Sequence, residues 1–158
     1  PDLERTIPVS FIGSTVSYRS IRLSYLESLK SEGIDLLIGG GTEEPLTVDE
    51  YAKVFKMSKI SLNFSFSVYE IHQIKGRIFE VMLCGALLLE SENSEIKRFY
   101  TPYKDYVPFY DKDDLLEKIK YYLLHEKERK QIAESGKRKT TEVYNHTAFW
   151  SEVLDSLP

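Results

Sequence analysis

Two opposite charges stand near the start of an otherwise apolar helical pattern that runs from Gly76 to Cys84. Arg77 and Glu80 are three residues apart, so both lie on one side of such a helix. A guanidinium can bind a phosphate through two hydrogen bonds, and a carboxylate can accept bonds from the two hydroxyls of a ribose. Lys75 adds a second cation where a helix N-terminus already favours anions. This group predicts a site for a nucleoside diphosphate.

The same two charges have a simpler interpretation as an ion pair that neutralises itself. At an exposed site such a pair contributes only a few tenths of a kcal/mol. This helix, however, is apolar on nearly all sides and leads into a buried strand, where charges are costly unless they meet a partner. We therefore favour a binding site in a cleft.

A short turn after the first predicted strand offers further phosphate contacts. Gly13, Ser14 and Thr15 follow that strand, and Arg19 stands in the first turn of the next helix. Their backbone amides and the arginine could bind an anion at the same edge of the sheet, although an ordinary strand-to-helix turn explains them equally well. The chain has neither GxGxxG nor GxxxxGK[ST], so a dinucleotide fingerprint and a Walker loop are both excluded.

Other candidate contacts follow later strands. We expect the base to lie near Gly40, Gly41 and Leu46, an expectation that rests on geometry alone. Asn63 ends a strand whose later part is polar, which suggests a cleft. His72 precedes the charged helix in a loop, where it could contact a sugar or phosphate or simply face solvent.

Strands and helices alternate along the chain, and this order predicts an α/β fold in three layers with a mainly parallel sheet of about five strands. The last helices should pack on that sheet. In the first helix Ile21, Tyr25 and Leu29 form the expected inward stripe, and Pro108 places the last strand at an edge. The predicted strands are Pro8–Ile12, Ile34–Ile38, Ile60–Ser67, Ala86–Glu90 and Tyr106–Tyr110. The predicted helices are Arg19–Ser31, Val48–Met57, Gly76–Cys84, Asn93–Phe99, Asp111–Leu124, Glu126–Tyr144 and Ala148–Leu157.

Composition narrows the class of protein. The 158 residues, 42% of them hydrophobic, have a formal charge of -4, which argues against a general nucleic-acid binder. The single Cys84 cannot form an internal disulfide and suggests a reducing, cytoplasmic location. No apolar run approaches the roughly 20 residues that span a bilayer, so at most peripheral membrane association is expected. No residue cluster has metal-ligand spacing, so we predict no bound metal and no cofactor.

The chain resembles the group 1 (family 4-like) glycosyltransferases of GT-B fold, in particular the branch that includes spore-maturation-type proteins. The resemblance covers most of the chain, and its central motif, Lys75 to Glu80 continuing through Gly85, is fairly specific. The matching segments are Val9–Ser14 with Arg19 following, Ser58–Asn63, Lys75–Gly85, Asp113–Leu115 and Arg129–Gly136 ahead of Asn145–Thr147.

This resemblance implies that residues 1–158 are one Rossmann-like domain, the C-terminal half of a longer enzyme. The absence of an initiator Met before Pro1 agrees with excision from a longer chain. Such a domain binds most of a UDP-, GDP- or TDP-sugar donor, and the acceptor surface belongs to an absent N-terminal Rossmann-like domain. The family reaction is expected to be metal-independent and retaining, with Arg77, Lys75 and Arg19 stabilising the leaving diphosphate. This domain alone should be inactive.

One position departs from the family pattern. Glu80 matches the second glutamate of the family's pair, but the place eight residues earlier holds His72, and Glu70 lies two residues further away. This departure leaves open a non-catalytic interaction or regulatory domain on the same scaffold. Half of a nucleotide-sugar epimerase is another alternative. A phospho-receiver domain is disfavoured, because no acidic residue follows the first strand.

Overall fold

A single parallel sheet organises the chain. The computed structural model describes residues 3–15, 20–41, 45–65, 73–144 and 146–156. Its five described strands lie in the order β2-β1-β3-β4-β5, and every neighbouring pair is parallel. The strands are β1 (Ile7–Ile12), β2 (Leu36–Gly39), β3 (Ser58–Asn63), β4 (Leu87–Ser91) and β5 (Val107–Phe109). This confirms the predicted α/β class and the edge position of the strand that contains Pro108.

Helices cover both faces of the sheet. They are α1 (Ser20–Ser31), α2 (Val48–Met57), α3 (Gly76–Leu83), α4 (Lys112–Leu124), α5 (Glu126–Val143) and α6 (His146–Asp155), with a 3₁₀ helix at Glu95–Arg98. Side chains of β4 alternate between two cores: Leu87 and Leu89 pack with α1 and α4, whereas Leu88 packs with α2 and α3. The result is the predicted three-layer arrangement. None of the helices in the described ranges is long and apolar enough to cross a membrane.

The strand order reverses direction beside β1. The chain places β2 on one side of β1 and β3 on the other, so the connections after β1 and after β3 run to opposite sides. A crevice forms at such a switch point, beyond the carboxyl ends of the two strands, and ligands of open α/β sheets bind there. In this chain the switch point lies after Ile12 and after Asn63.

The inward face of α1 agrees with the prediction at Tyr25 and Leu29 and differs from it at Ile21. The residues that α1 buries are Arg22, Leu26 and Leu29, whereas Ile21 is 55% exposed. The guanidinium of Arg22 lies over the Phe11 ring, 5.2 Å from its centroid, and donates a hydrogen bond to the Ser14 carbonyl. These contacts compensate for the loss of water, so the helix can turn a charged residue inward. The pattern of apolar residues alone could not reveal this.

Two strands differ from their predicted bounds by two residues or more, whereas the other three differ by a single residue at one end or at both. The second strand is Leu36–Gly39, not Ile34–Ile38, because its pairing with β1 begins at Leu36. The third begins at Ser58 and ends at Asn63, because its register with β4 ends at the pair Asn63 and Glu90. Phe64 and Ser65 then leave the sheet while staying buried. The capping box of Thr47 and Glu50 is confirmed at the start of α2.

One glycine is required where α5 crosses close to the loop before β5. A Cβ atom at Gly136 would overlap the backbone carbonyl oxygen of Asp105, and Gly136 is buried. We expect Gly136→Ala to lower the free energy of unfolding by about 3 kcal/mol, because backbone must move to relieve the overlap. Urea unfolding followed by circular dichroism measures this. Gly41→Ala is the control, since a Cβ there meets no atom within 4 Å; an equal loss in both variants would contradict the prediction.

Candidate functional site

The ends of β1 and β2 meet through glycines. The amide of Gly13 donates a 2.8 Å hydrogen bond to the carbonyl of Gly39. Gly40 has φ +74°, and a Cβ there would lie 2.8 Å from Cγ2 of Ile12. Both the backbone angle and the close contact favour glycine at position 40. The two strand ends therefore come together without side chains between them.

Arg77 lies across this glycine turn. A Cβ at Gly13 would lie 2.8 Å from Nη2 of Arg77, so Gly13 leaves the space that the guanidinium occupies. Nη1 donates a 3.1 Å hydrogen bond to Oδ1 of Asn63, and the group lies over the Phe11 ring at 5.6 Å. Its buried Nε has no hydrogen-bond partner among the described residues. Arg77 thus joins the ends of β1 and β3 at the switch point and keeps unused donor capacity.

Asn63 connects Arg77 to a buried acid. Its Nδ2 donates a 2.6 Å hydrogen bond to Oε2 of Glu90, its register partner on β4. The hydroxyl of Ser91 donates to the other oxygen, Oε1, at 3.2 Å. Glu90 has no exposed surface. Three side chains from β4, β3 and α3 therefore form one hydrogen-bonded chain that ends at the Arg77 guanidinium.

Burial controls the ionisation of Glu90. It raises the pKa of this carboxyl from 4.5 to about 7, although hydrogen bonds from Ser65, Asn63 and Ser91 and the charge of Lys75 oppose the shift. The sequence analysis predicts Glu90 only as the end of a strand. The signal available in the sequence was an ionisable residue that continues the apolar run Ala86–Leu89.

Two more cations border the same turn. Lys75 is the N-cap residue of α3, and its ammonium donates to the carbonyl of Phe64. Arg22 donates to the Ser14 carbonyl at 2.9 Å and reaches Phe64 from the other side at 3.5 Å. The predicted cation from this helix was Arg19, which lies outside the described residues. Among the described residues the structure brings Arg22 to this turn, a residue that the sequence analysis does not single out.

Glu80 does not pair with Arg77. Among the described residues no salt bridge joins them, and the exposed carboxylate of Glu80 accepts a hydrogen bond from the hydroxyl of Tyr51 through Oε2. Burial, and then the bond to Glu80, raise the pKa of Tyr51 to about 12. The simple ion-pair interpretation is therefore wrong. Helix α3 turns Glu80 outward, towards α2, so of the two charged residues only Arg77 is half-buried.

The remaining predicted residues differ in how near they lie to this centre. Leu46 packs beside the end of β2, with its Cδ1 3.6 Å from a Cβ built on Gly39. Gly41 faces open space, and Thr15 is partly exposed in the turn after Gly13. His72, like Arg19, lies outside the described residues. The structure thus groups Gly13, Gly40, Leu46, Asn63, Lys75 and Arg77 at one sheet edge.

A cavity of about 720 Å³ lies at the opposite, amino edge of the sheet. It is lined by charged side chains, but Arg5 is bonded to the carbonyls of Phe55, Ser58 and Cys84. Lys56 stands in the last turn of α2, where a cation offsets the helix dipole. We place the candidate site at the carboxyl edge, because the switch point and the unpartnered Nε of Arg77 are there. No group of metal-ligating side chains is found within the described ranges.

The fold is that of a Rossmann-like domain of the GT-B type. A mutant of S. aureus TarM in complex with Fondaparinux, alpha-GlcNAc-glycerol and UDP has a similar fold (TM-score 0.74, 12% identity, covering 98% of this chain and 36% of that chain). So do Anabaena HepE in complex with UDP-glucose (0.65, 12%, 94% and 40%) and the C-terminal domain of a group 1 glycosyl transferase, LpcC, from Francisella tularensis (0.65, 11%, 87% and 86%).

Residues 20–155 match the family described as glycosyl transferase-like, so the chain belongs to that family. No curated protein matches the sequence. The chain spans only 36% to 40% of the TarM and HepE chains, whereas it spans most of the LpcC domain.

The ionisation of Glu90 makes stability depend on pH. The pKa of this carboxyl is about 7 in the folded chain and 4.5 ordinarily, so the folded state keeps the proton to a higher pH than the unfolded state does. Below about pH 4.5 the group is neutral in both states, and no stability is lost. As pH rises to about 8, the wild type should lose about 3 kcal/mol relative to Glu90→Gln, which cannot ionise. Urea unfolding of both proteins across this range measures the difference; a constant difference would contradict it.

Proposed function

We propose that this chain is the donor-binding domain of a glycosyltransferase and that it binds the nucleoside diphosphate of a nucleotide sugar beyond the ends of β1 and β3. The observation that carries this proposal is Arg77, which Asn63 holds across Gly13 at the switch point with an unpartnered Nε. TarM in complex with UDP and HepE in complex with UDP-glucose share the fold, and these complexes support a nucleotide donor.

In this proposal the diphosphate lies at the N-terminus of α3. Arg77 and Lys75 contact its oxygens, together with the first amides of the helix, which have no partners inside it. Beside Gly13, whose own amide is bonded to Gly39, the turn supplies the amides of Ser14 and Thr15, and Arg19 supplies a further cation. These groups stabilise the charge that develops on the diphosphate as the glycosidic bond to the sugar breaks. They would act by electrostatics alone, so no metal is required.

The ribose and base extend from the diphosphate towards α2 and the end of β2. Glu80 accepts bonds from the ribose hydroxyls, and Tyr51 holds one oxygen of that carboxylate in place. Leu46, with Gly40 and Gly41, borders the base. His72 is assigned to the donor sugar, where the family pattern has a glutamate.

The rest of the enzyme belongs to this proposal as well. Because the chain covers a minor part of TarM and HepE, a second Rossmann-like domain with the acceptor surface should complete the cleft. Residues 1–158 would then bind nucleotide but not transfer sugar by themselves. The proposal also includes three further properties. The transfer reaction retains the configuration of the sugar, the protein belongs to the spore-maturation-type branch, and it is located in the cytoplasm.

Titration calorimetry of the 158-residue chain with UDP, GDP and TDP tests nucleotide binding. We expect one of the three to bind, and Arg77→Gln to weaken that binding about tenfold or more, because a charge-assisted phosphate contact is lost. Arg77→Gln should not change the affinity for the corresponding nucleoside, because the nucleoside lacks phosphate. Arg98→Gln is the control, an exposed arginine on the 3₁₀ helix. If the wild type binds none of the three, the proposed function is wrong.

A second titration tests the ribose contact of Glu80. For a uridine nucleotide, we expect the wild type to prefer UDP over 2′-deoxy-UDP by about tenfold, because a carboxylate is a strong acceptor for a hydroxyl. Glu80→Ala should remove this preference, and Glu117→Ala, at an exposed site on α4, should keep it. If UDP and its deoxy analogue still differ in Glu80→Ala, the ribose is held elsewhere. For a guanosine nucleotide the same comparison uses GDP and 2′-deoxy-GDP.

One observation favours a second function, a non-catalytic interaction or regulatory domain. The first glutamate of the family's pair is absent, and His72 stands in its place. Turnover of any nucleotide sugar by the chain joined to its N-terminal half would exclude this function. Nucleotide binding without turnover would support it.

A further inference from the structure

Glu90 is a buried acid for which the proposed donor contacts have no use. A carboxylate without any exposed surface loses several kcal/mol of hydration, and an apolar residue at its position would continue the run Leu87–Leu89 at no such cost. Its hydrogen-bond partners are the adjacent Ser91 and two residues at the end of the neighbouring strand, Asn63 and Ser65, so the group does not serve as a helix cap or a turn contact. A role in positioning the neighbouring Arg77 explains why a carboxylate stands at this position despite its lost hydration.

The geometry of Asn63 shows what Glu90 can do. An amide side chain can present either its oxygen or its NH₂ group to a neighbour. Arg77 is a donor and needs the oxygen, and this orientation sends the NH₂ group to Glu90. A rotated Asn63 would direct its NH₂ group at the guanidinium, donor against donor. An acceptor at Glu90 therefore selects the one orientation that binds Arg77.

We propose that Glu90 is a positioning residue that orients Asn63 and, through it, holds the Arg77 guanidinium at Gly13 in the geometry for a diphosphate. Glu90 is too deeply buried to touch the nucleotide itself. The role in binding rests on the proposed function, whereas the effect on Arg77 does not.

The other charges near Glu90 come from two directions. Lys75, ahead of α3, favours its ionised form, and the charge of Glu90 in turn acts on Tyr106, ahead of β5. An ionised carboxylate can only accept hydrogen bonds, whereas the neutral acid can also donate. Selection of the Asn63 orientation is therefore strongest above neutral pH.

A measurement without any ligand tests the proposal directly. Nitrogen-15 spectra of the arginine side chains, with the Arg77 signal assigned by its loss in Arg77→Lys, report how firmly the guanidinium is held. We expect a distinct, slowly rotating Arg77 signal in the wild type and an averaged one in Glu90→Leu. Glu90→Gln, which keeps an oxygen near Asn63, should retain most of the order. Glu92→Leu is the matched control, because its carboxylate pairs with Lys97. An Arg77 signal unchanged in Glu90→Leu would overturn the proposal.

Nucleotide affinity provides the second arm. Glu90→Leu should weaken binding of whichever of UDP, GDP and TDP binds, roughly tenfold in the wild type and not at all in Arg77→Gln, because the effect acts through Arg77. The ratio of wild-type to Glu90→Leu affinity should grow from pH 6 to pH 8. An equal loss of affinity on Glu90→Leu in the wild type and in Arg77→Gln would mean that Glu90 has a merely structural role. Tighter nucleotide binding by Glu90→Leu would mean that Glu90 repels the diphosphate. Either result overturns the proposal. If no nucleotide binds, the proposed function fails, and the ligand-free spectra still decide the role of Glu90.

Discussion

The parallel pairing of β1 with β3 is the constraint on which the candidate site depends. Because the strand order reverses at this pair, the segments that follow the two strands separate and leave a crevice between them. Gly13 ends one side of the crevice and Asn63 ends the other, so a single side chain from α3, Arg77, can reach both. A different neighbour for β1 would leave these three residues apart.

The charged side chains at this edge are positive, whereas the net charge of the chain is negative. The chain has a formal charge of -4, yet Lys75, Arg77 and Arg22 surround the ends of β1 and β3. The two arginines lie 5.2 and 5.6 Å from the centroid of the buried Phe11 ring, which lowers the cost of bringing them together. The buried carboxyl of Glu90 lies behind them and connects to Arg77 only through an amide. A local anion site is thus compatible with an acidic chain.

Much of the fold could be predicted from the sequence, because it depends on local patterns. The capping box before α2, the continuous apolar run of β4 and Pro108 at the edge strand each place an element without knowledge of its neighbours. The register of α1 could not be predicted in this way. Arg22 can be buried only because its guanidinium lies over the Phe11 ring and donates a hydrogen bond to the Ser14 carbonyl. Phe11 belongs to β1 and Ser14 to the turn after it, so neither partner is visible in the pattern of α1 itself.

The sequence by itself determined the class of fold, the order of elements and the presence of Arg77 and Glu80 on one short helix, since periodicity and capping act over a few residues. Only the tertiary structure decided that Arg77 binds Asn63 while Glu80 binds Tyr51, and that Glu90 is fully buried. Those partners stand between 14 and 29 residues away along the chain. Contacts at that separation depend on which strands become neighbours and in what register, and no local pattern specifies either.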